Sequence, residues 1–458
     1  MTLDPRHART IVDAVDANFD AQLAFTQELV RHPSLRNQES SAQDFLYQAM
    51  AARRLEMDRW ELDPADLATH PGAGAVAVSY ADMTNVVGTY TPTLEDPARE
   101  EGRSLILNGH VDVVPEGPLD QWSRSPWDAA VVDGWLYGRG SGDMKAGLAA
   151  NLFAFDAVLA AGLIPQGRIH FQSVVEEECT GNGSLAALQR GYTADAVVIP
   201  EPEENMLVRA NVGVIWFKVR VQGSPTHPRE MTKGFNAIDA AHTVMERLRE
   251  LERAWNAEKS SHRYFEDLEH PINFNLGGIQ GGDWPSSVPA WCKLDVRIAL
   301  YPGVGADEAW GQIQACLERI DRDELGNPIA ATATRTGFYS EGYVLEEGSD
   351  AEEVLRASHR AAFGEELRTF TTPGYLDGRV FALYAGIPAL VYGPVSEAIH
   401  GYDERVEIES VRRVTQSIAL FIAEWCGVAE QAAGHSAGQA SDPAELAGSA
   451  SAGGGATA

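Results

Sequence analysis

Two apolar strands flank a long apolar helix in the N-terminal half of the chain. The segments SLILNGHVDVV and RIHFQSVVEEE are typical of buried strands, and MKAGLAANLFAFDAVLAAG between them predicts a helix that ends at a glycine. A strand, a crossover helix and a second strand in this order form a parallel pair. The sequence therefore predicts an α/β fold built on a parallel sheet.

The order of elements changes after residue 210. From residue 211 to residue 337, between GVIWFKVRVQG and IAATATRTG, we predict strand, helix, two strands, helix and strand, the ferredoxin-like pattern. Segments with α/β character then resume. We therefore expect one discontinuous domain, residues 1–210 and 338–430, that carries an inserted α+β domain, residues 211–337. The Ala/Gly/Ser-rich tail, residues 431–458, has too few apolar side chains to fold, and we expect it to be disordered.

The bulk composition excludes several classes of partner. A length of 458 residues favours two domains, and a net charge of -30 argues against nucleic acid or an anionic membrane as partner. The four scattered cysteines form no CxxC pair, so neither a thiolate zinc site nor a disulfide framework is expected. We find no signal peptide and no apolar run of transmembrane length, which predicts a cytoplasmic protein.

Ionisable residues follow the predicted strands. His110 and Asp112 are two apart at the end of the first strand, and strand alternation places them on one face. A carboxylate beside an imidazole fixes the tautomer of a metal-ligating His, although a satisfied polar pair is the alternative interpretation. In WLYGRGSGDMKAG, Asp143 stands where a dinucleotide motif needs its third glycine, which excludes that motif. Asp143 is then either a site residue or a simple helix cap.

Further carboxylates and a second His follow the later strands. Glu176, Glu177 and Glu178 end the second strand, and because adjacent residues point to opposite faces, only a subset can serve one site. Glu201 ends the next strand, and His400 follows the apolar segment IPALVYGP. A charged turn is the alternative for the triple Glu. The carboxyl ends of parallel strands are, however, where open α/β sheets build their sites.

Together these groups predict a metal centre. Two imidazoles and several carboxylates without a thiolate suit Zn²⁺, Co²⁺ or Mn²⁺. Five ligands exceed one tetrahedral shell, so a shared Asp between two ions accommodates them. A further Glu that stays off the metals can accept a proton from water. This set describes metal-assisted hydrolysis.

The motifs that carry these residues resemble a known family. They are GHVDVVP, GWLYGRGSGDMKAG, EEECTGNGS, PEP, GSPTH, GFNAI and AIHGYDE. Over nearly the whole chain except the tail, the sequence resembles the M20 family of metallopeptidases and amidohydrolases, which includes acetylornithine deacetylase and succinyl-diaminopimelate desuccinylase. The resemblance implies a di-zinc exopeptidase-type catalytic domain with an inserted lid that also forms a homodimer.

The resemblance also implies roles for single residues. Five of them would hold two divalent ions, Zn²⁺ first and Co²⁺ or Mn²⁺ as alternatives: His110 and Glu201 on one ion, Glu178 and His400 on the other, and Asp143 on both. Asp112 would orient His110, and Glu177 would be the general base. The register with Glu176 as base and Glu177 as ligand stays open as an alternative.

Two lid residues match the family as well. His227 in SPTHPRE matches a lid His that reaches the active site of the partner subunit and stabilises the oxyanion. Arg297 in LDVRIAL matches a lid Arg that pairs with a substrate carboxylate. Asp377 and Arg379 in YLDGRVF depart from the usual sequence of their loop and are secondary candidates.

The predicted function is metal-dependent hydrolysis of an amide bond in a small N-acylated substrate. An N-acyl amino acid such as N-acetylornithine is the first choice. A formylaminopyrimidine deformylase and a metallo-dipeptidase or carboxypeptidase are the alternatives. A non-catalytic metal-binding protein is the rival from another class, and it ranks last because no predicted ligand or base is missing.

Overall fold

The computed structural model describes residues 3–92, 102–320, 322, 326 and 329–431. The helices in these residues are α1 (Pro5–Arg31), α2 (Ser40–Ala52), α3 (Pro64–Leu67), α4 (Ala146–Ala160), α5 (Asn182–Gln189), α6 (Ala237–Ala257), α7 (Ala306–Glu318), α8 (Asp350–Phe363), α9 (Gly378–Ala385) and α10 (Ile408–Trp425). Apart from Gln431, the predicted tail lies outside the described residues.

Five sheets contain the strands of the described residues. The strands are β1 (Glu56–Glu61), β2 (Thr84–Tyr90), β3 (Gly102–His110), β4 (Val131–Val132), β5 (Trp135–Tyr137), β6 (Leu163–Pro165), β7 (Gly167–Val174), β8 (Ala196–Ile199), β9 (Leu207–Asn211), β10 (Gly213–Gln222), β11 (Phe274–Gly281), β12 (Trp291–Leu300), β13 (Ala330–Ser340), β14 (Tyr343–Val344), β15 (Thr369–Thr372), β16 (Ala389–Val391), β17 (Ser396–Glu397), β18 (Arg405–Glu407) and β19 (Val428–Glu430).

The main sheet has six strands in the order β1, β2, β7, β3, β8, β16. Strand β3 runs parallel to both β7 and β8, and β8 runs parallel to β16. The predicted strand–helix–strand unit is therefore present, and the α/β fold class is confirmed. Helix α4 connects β3 to β7 and packs against α1 and α10. It is buried on nearly all sides, which explains its almost uniformly apolar sequence.

The sequence analysis missed β1 and β2. They pair antiparallel to each other, and β2 pairs antiparallel to β7, so they extend one edge of the main sheet. Strand β1, EMDRWE, lies mostly towards solvent and has no apolar alternation. Without such alternation a short edge strand gives little sequence signal.

The second sheet has four antiparallel strands in the order β11, β12, β10, β13. With α6 and α7 packed on it, this sheet has the strand order of a ferredoxin-like fold. Alternation along β12 places Cys292, Leu294 and Val296 in the core beneath the helices. Arg297 consequently projects from the opposite face. The boundaries of the predicted domains stay a prediction.

Local sequence sets the helix ends. Asp4 begins α1, where its side chain accepts the backbone N–H of Arg6 and Pro5 takes the first helical position. Ser349 caps α8 in the same way by accepting the N–H of Glu352, and Gly364 ends this helix at a φ of 77°. None of the helices in the described ranges is both long and apolar enough to cross a bilayer.

Candidate metal centre

The main sheet delivers side chains to one edge. Strand β3 ends at His110, opposite Val174 at the end of β7, and Glu201 comes two residues after the end of β8. The three glutamates begin two residues after the end of β7. Because β3, β7 and β8 run in the same direction, their carboxyl ends meet there, as an open α/β site requires.

Asp143 lies between two imidazoles. Its Oδ1 is 3.0 Å from Nε2 of His110, and its Oδ2 is 3.2 Å from Nε2 of His400. Asp143 sits in the turn Ser141–Lys145 just before α4, and its peptide bond to Met144 is cis. The two distances show that each carboxylate oxygen faces a different imidazole, as a carboxylate shared by two ions requires.

The carboxylates of Glu178 and Glu201 lie beside these residues. We call the five side chains of His110, Asp143, Glu178, Glu201 and His400 the metal cluster, because they are the candidate metal ligands. Oε2 of Glu178 is 3.2 Å from Nε2 of His400, and Oε2 of Glu201 is 3.7 Å from Nε2 of His110. One ligand atom each from His110, Asp143 and Glu178 lie within 4.8 Å of one another. Oε1 of Glu201 is buried and has no hydrogen-bond partner among the described residues. Imidazole nitrogens and an orphaned carboxylate oxygen around one space fit divalent cations.

The charges in this cluster shift each other's pKa. Burial lowers the pKa of His110, but the attraction of Glu201 and the hydrogen bond with Asp143 raise it well above its usual value. The attraction of Glu178 raises the pKa of His400 to about 11. Burial raises the pKa of Glu201 to about 7 and that of Glu177 well above its usual range. Without a cation, protons on the two imidazoles and on Glu201 offset the crowded negative charge, so a metal ion competes with protons for this site.

This competition predicts how metal affinity depends on pH. Because the pKa of Glu201 is raised to about 7 and ligation requires the ionised carboxylate, a proton must leave first below that pH. The affinity for Zn²⁺ or Co²⁺ is therefore expected to rise between pH 6 and pH 8, with release of protons. Titration calorimetry in two buffers of different ionisation enthalpy measures both the affinity for the metal ion and the number of protons released. An affinity that is constant over this range, without proton release, would contradict the prediction.

The three consecutive glutamates have different surroundings. Glu176 is fully buried and points away from the metal cluster, where it binds Arg36 through two hydrogen bonds of 2.5 and 2.8 Å. It also accepts the hydroxyls of Tyr80 at 2.7 Å and Thr180 at 2.9 Å. Glu177, in contrast, lines the cleft above the cluster, and its Oε2 lies 4.0 Å from Nε2 of His110.

Asp112 acts through a different atom from the one that the sequence predicts. Strand β3 ends at His110, so strand alternation does not set the direction of Asp112. Nδ1 of His110 is 2.8 Å from the backbone carbonyl of Asp112 and 3.7 Å from its carboxylate. The carboxylate instead accepts the backbone N–H of Glu177 at 3.4 Å and of Glu178 at 3.2 Å. Asp112 thus ties His110 to the two glutamates.

Glu404 supports the cluster from behind, and the sequence analysis missed it. Its carboxylate accepts the backbone N–H groups of Gly142 and Asp143, both at 3.1 Å. It also pairs with the buried Arg139 at 2.5 Å, and Arg139 donates to the carbonyl of Gly401 at 2.9 Å. These hydrogen bonds connect the turn that contains Asp143 to the loop that contains His400. The signal lay in the motif AIHGYDE, four residues after His400.

The remaining predicted residues lie farther out. Arg297 lines the same cleft from the second sheet, and its guanidinium pairs with no described residue. His227 is exposed, accepts the backbone N–H of Arg229, and is not among the described residues that line the cleft. Asp377 and Arg379 are buried behind the wall of the cleft, where Asp377 accepts the hydroxyl of Tyr375 at 2.9 Å. These two support the wall and do not face the cavity.

Comparison with known proteins decides the family. The family described as peptidase family M20/M25/M40 matches residues 106–424. The chain belongs to this M20 family. The prediction of a metal-dependent amidohydrolase is thereby confirmed.

Individual relatives support the assignment. The M20 chain is 30% identical over 439 residues to N-formyl-4-amino-5-aminomethyl-2-methylpyrimidine deformylase of Halalkalibacterium halodurans, with 90% of this chain and 96% of the relative covered. It is 27% identical to succinyl-diaminopimelate desuccinylase of Cupriavidus taiwanensis, with 85% and 95% covered. The YXEP protein of Bacillus subtilis, a dinuclear metal-binding M20 peptidase, shares the fold with a TM-score of 0.54 at 15% identity, with 90% and 99% covered.

In this M20 protein four of the five candidate ligands, all except His110, line a cleft of about 970 Å³. The main sheet supplies the metal cluster, and the second sheet supplies Trp216, Asn275 and Arg297. These three residues lie opposite one another on neighbouring strands, because both Trp216 and Asn275 pair in register with Arg297. A substrate in the cleft therefore contacts both sheets.

Proposed function

We propose that the chain is a deformylase, which hydrolyses the amide bond of an N-formylated aminopyrimidine with two divalent metal ions. The observation that carries the two-metal part is Asp143, whose two oxygens face two different imidazoles. His110 and Glu201 would hold one ion, and Glu178 and His400 the other. Ligands without a thiolate suit Zn²⁺, with Co²⁺ or Mn²⁺ as alternatives.

Bound ions would supply a Lewis acid that polarises the amide carbonyl and lowers the pKa of water. Glu177 is the proposed general base: it accepts one proton of the attacking water and passes it to the leaving amine. Burial raises the pKa of Glu177, which favours transfer of a proton from water to this carboxylate. The products are formate and the free amine. Glu176 is unsuited to this role because its carboxylate is occupied by Arg36.

Two observations bear on the acyl and amine groups of the substrate, and each supports a different candidate. The deformylase relative, at 30% identity, supports a formylated aminopyrimidine and moves it ahead of N-acetylornithine. The guanidinium of Arg297, which has no partner among the described residues, supports the second candidate, an N-acyl amino acid whose carboxylate would pair with it. The desuccinylase relative supports this second candidate too.

A substrate panel tests the proposal. Protein loaded with Zn²⁺ or Co²⁺ would be offered the N-formylated aminopyrimidine, N-acetylornithine, N-succinyl-diaminopimelate and a dipeptide. We expect kcat/KM for the formylated pyrimidine to exceed the others by at least about 100-fold, and a chelator to abolish turnover. Metal-loaded protein that hydrolyses none of these amides would favour the non-catalytic rival. A preference for N-acetylornithine would favour the second candidate.

A homodimer is also part of the proposal, with His227 reaching the cleft of the partner subunit to stabilise the oxyanion. Its exposed position outside its own cleft supports this arrangement. The cytoplasmic location is likewise kept as a proposal.

Subunit mixing tests the role of His227. Glu177→Ala and His227→Ala should each be nearly inactive alone. When the two variants exchange subunits in an equal mixture, half of the dimers contain one subunit of each variant. Each such dimer has one cleft in which both Glu177 and the His227 that reaches it are intact. We therefore expect about a quarter of wild-type activity to return. If His227 acts within its own subunit, mixing will restore nothing.

A further inference from the structure

Three aromatic side chains line one part of the cleft. Trp216 comes from β10, Phe338 from β13 and Tyr375 from the loop before α9. The ring centroids of Trp216 and Phe338 are 5.2 Å apart, and those of Phe338 and Tyr375 are 4.3 Å apart. Tyr375 is held from behind by Asp377, which accepts its hydroxyl. We call these three side chains the aromatic wall. Because Trp216 is nearly perpendicular to Phe338 (84°) and Tyr375 is tilted from Phe338 by 44°, a flat ligand can stack on one of these rings and contact another with its edge.

Two polar groups in the same cleft lack partners. The half-buried carboxyl group of Glu203 makes no hydrogen bond or ion pair with another described residue. Nε1 of Trp216 is buried and has no hydrogen-bond partner among the described residues. Buried polar groups in folded proteins are nearly always paired. The carboxyl group of Glu203 and the N–H of Trp216 therefore indicate a ligand that supplies their hydrogen-bond partners beside the aromatic wall.

We propose that Glu203 and the aromatic wall bind the amine half of the substrate, a flat aminopyrimidine ring, and so determine specificity. The inference rests on the proposed function and deepens it. An aminopyrimidine presents a ring nitrogen and an adjacent amino group on one edge. A carboxyl group matches this edge with two parallel hydrogen bonds, either as an acid with the neutral ring or as a carboxylate with the protonated ring. The other ring nitrogen accepts the N–H of Trp216.

The same pocket disfavours the competing substrate classes. An aliphatic N-acyl amino acid has no ring to stack on the aromatic wall, and although Arg297 would attract its carboxylate, Glu203 in the same cleft would repel it. A benzene ring stacks but offers nothing to Glu203 or to the indole N–H, which would leave both groups buried without partners. Discrimination against such a ring should therefore be large.

Two substrates with the same scissile bond test the inference. N-formyl-4-amino-5-aminomethyl-2-methylpyrimidine has the amino-substituted edge, and N-formylbenzylamine lacks it. We expect the wild-type, metal-loaded enzyme to prefer the first by about 100-fold or more in kcat/KM. Glu203→Ala, which removes both hydrogen bonds, should reduce this preference at least tenfold, and Trp216→Phe, which keeps a ring and removes the N–H, should reduce it by a smaller factor.

Glu204→Ala is the matched control. Glu204 is the neighbouring carboxylate, is exposed, and does not line the cleft, so its variant should keep the wild-type preference. Metal content and thermal unfolding of every variant would be measured alongside. The preference for a substrate is a ratio within one variant, so partial loss of folded enzyme cancels.

Two outcomes overturn the inference. One is a wild-type enzyme that cleaves both formamides with equal efficiency, and the other is a Glu203→Ala variant in which kcat/KM falls by the same factor for both substrates. If Glu203→Ala does not fold, Trp216→Phe decides alone, and an unchanged preference in it overturns the inference. A metal-loaded wild type that cleaves neither formamide refutes the proposed function itself, which is a distinct result.

Discussion

Glu177→Ala is expected to lower kcat by about 10²- to 10⁴-fold while both metal ions stay bound. The carboxyl group of Glu177 lines the cleft beside His110, but the proposed ligands of the two ions are five other residues. Its removal therefore takes away the proton acceptor and leaves the ligands in place. Steady-state kinetics and metal analysis of the same preparation measure the two effects.

Glu177→Gln is the matched control for shape, because it keeps the size of the side chain and removes only the ability to accept a proton. It should be as inactive as the alanine variant. If Glu177→Ala instead lost one of its two metal ions, Glu177 would be a ligand and the assignment of base and ligand would be shifted by one residue.

Glu176→Ala is expected to lower the free energy of unfolding by about 3–5 kcal/mol. Glu176 is fully buried, and its partner Arg36 has only 24% of its side chain exposed. Removing the carboxylate leaves a guanidinium with little water and no counter-charge, and it also leaves the hydroxyls of Tyr80 and Thr180 without their acceptor. Urea unfolding of the metal-free protein measures the change without a contribution from bound ions.

Glu250→Ala is the control for this experiment. Glu250 pairs with Arg247 on the surface of α6, where both side chains are about half exposed. Its loss should leave the free energy of unfolding nearly unchanged, since exposed ion pairs contribute little. A Glu176→Ala variant that keeps its stability but loses metal would show that Glu176 is a ligand.

Much of the site follows from the sequence because parallel strands constrain it. Once β3, β7 and β8 are recognised as parallel, His110, the triple Glu and Glu201 must meet at one edge, whatever the details of packing. The pattern of strands and helices likewise predicts the α/β class. These inferences needed only local patterns and one general rule of topology.

The rest depends on where loops go, which local patterns do not encode. Asp112 leaves the strand, so its carboxylate reaches the backbone of Glu178 and not the ring of His110. Glu176 has the same side chain as Glu177 and Glu178, and only the fold brings Arg36 to it. The aromatic wall draws on three segments that are far apart in the chain.

The proposed metal ligands and the proposed general base come from the main sheet and its loops, whereas Trp216, Arg297 and Phe338 come from the second sheet. Part of the proposed substrate pocket therefore lies on a different sheet from the proposed metal ligands. Substitutions on the second sheet can change which amide is accepted while the metal ligands keep their spacing. This modular construction gives evolution a route by which relatives with the same reaction diverge towards molecules as unlike as a pyrimidine and a diamino acid.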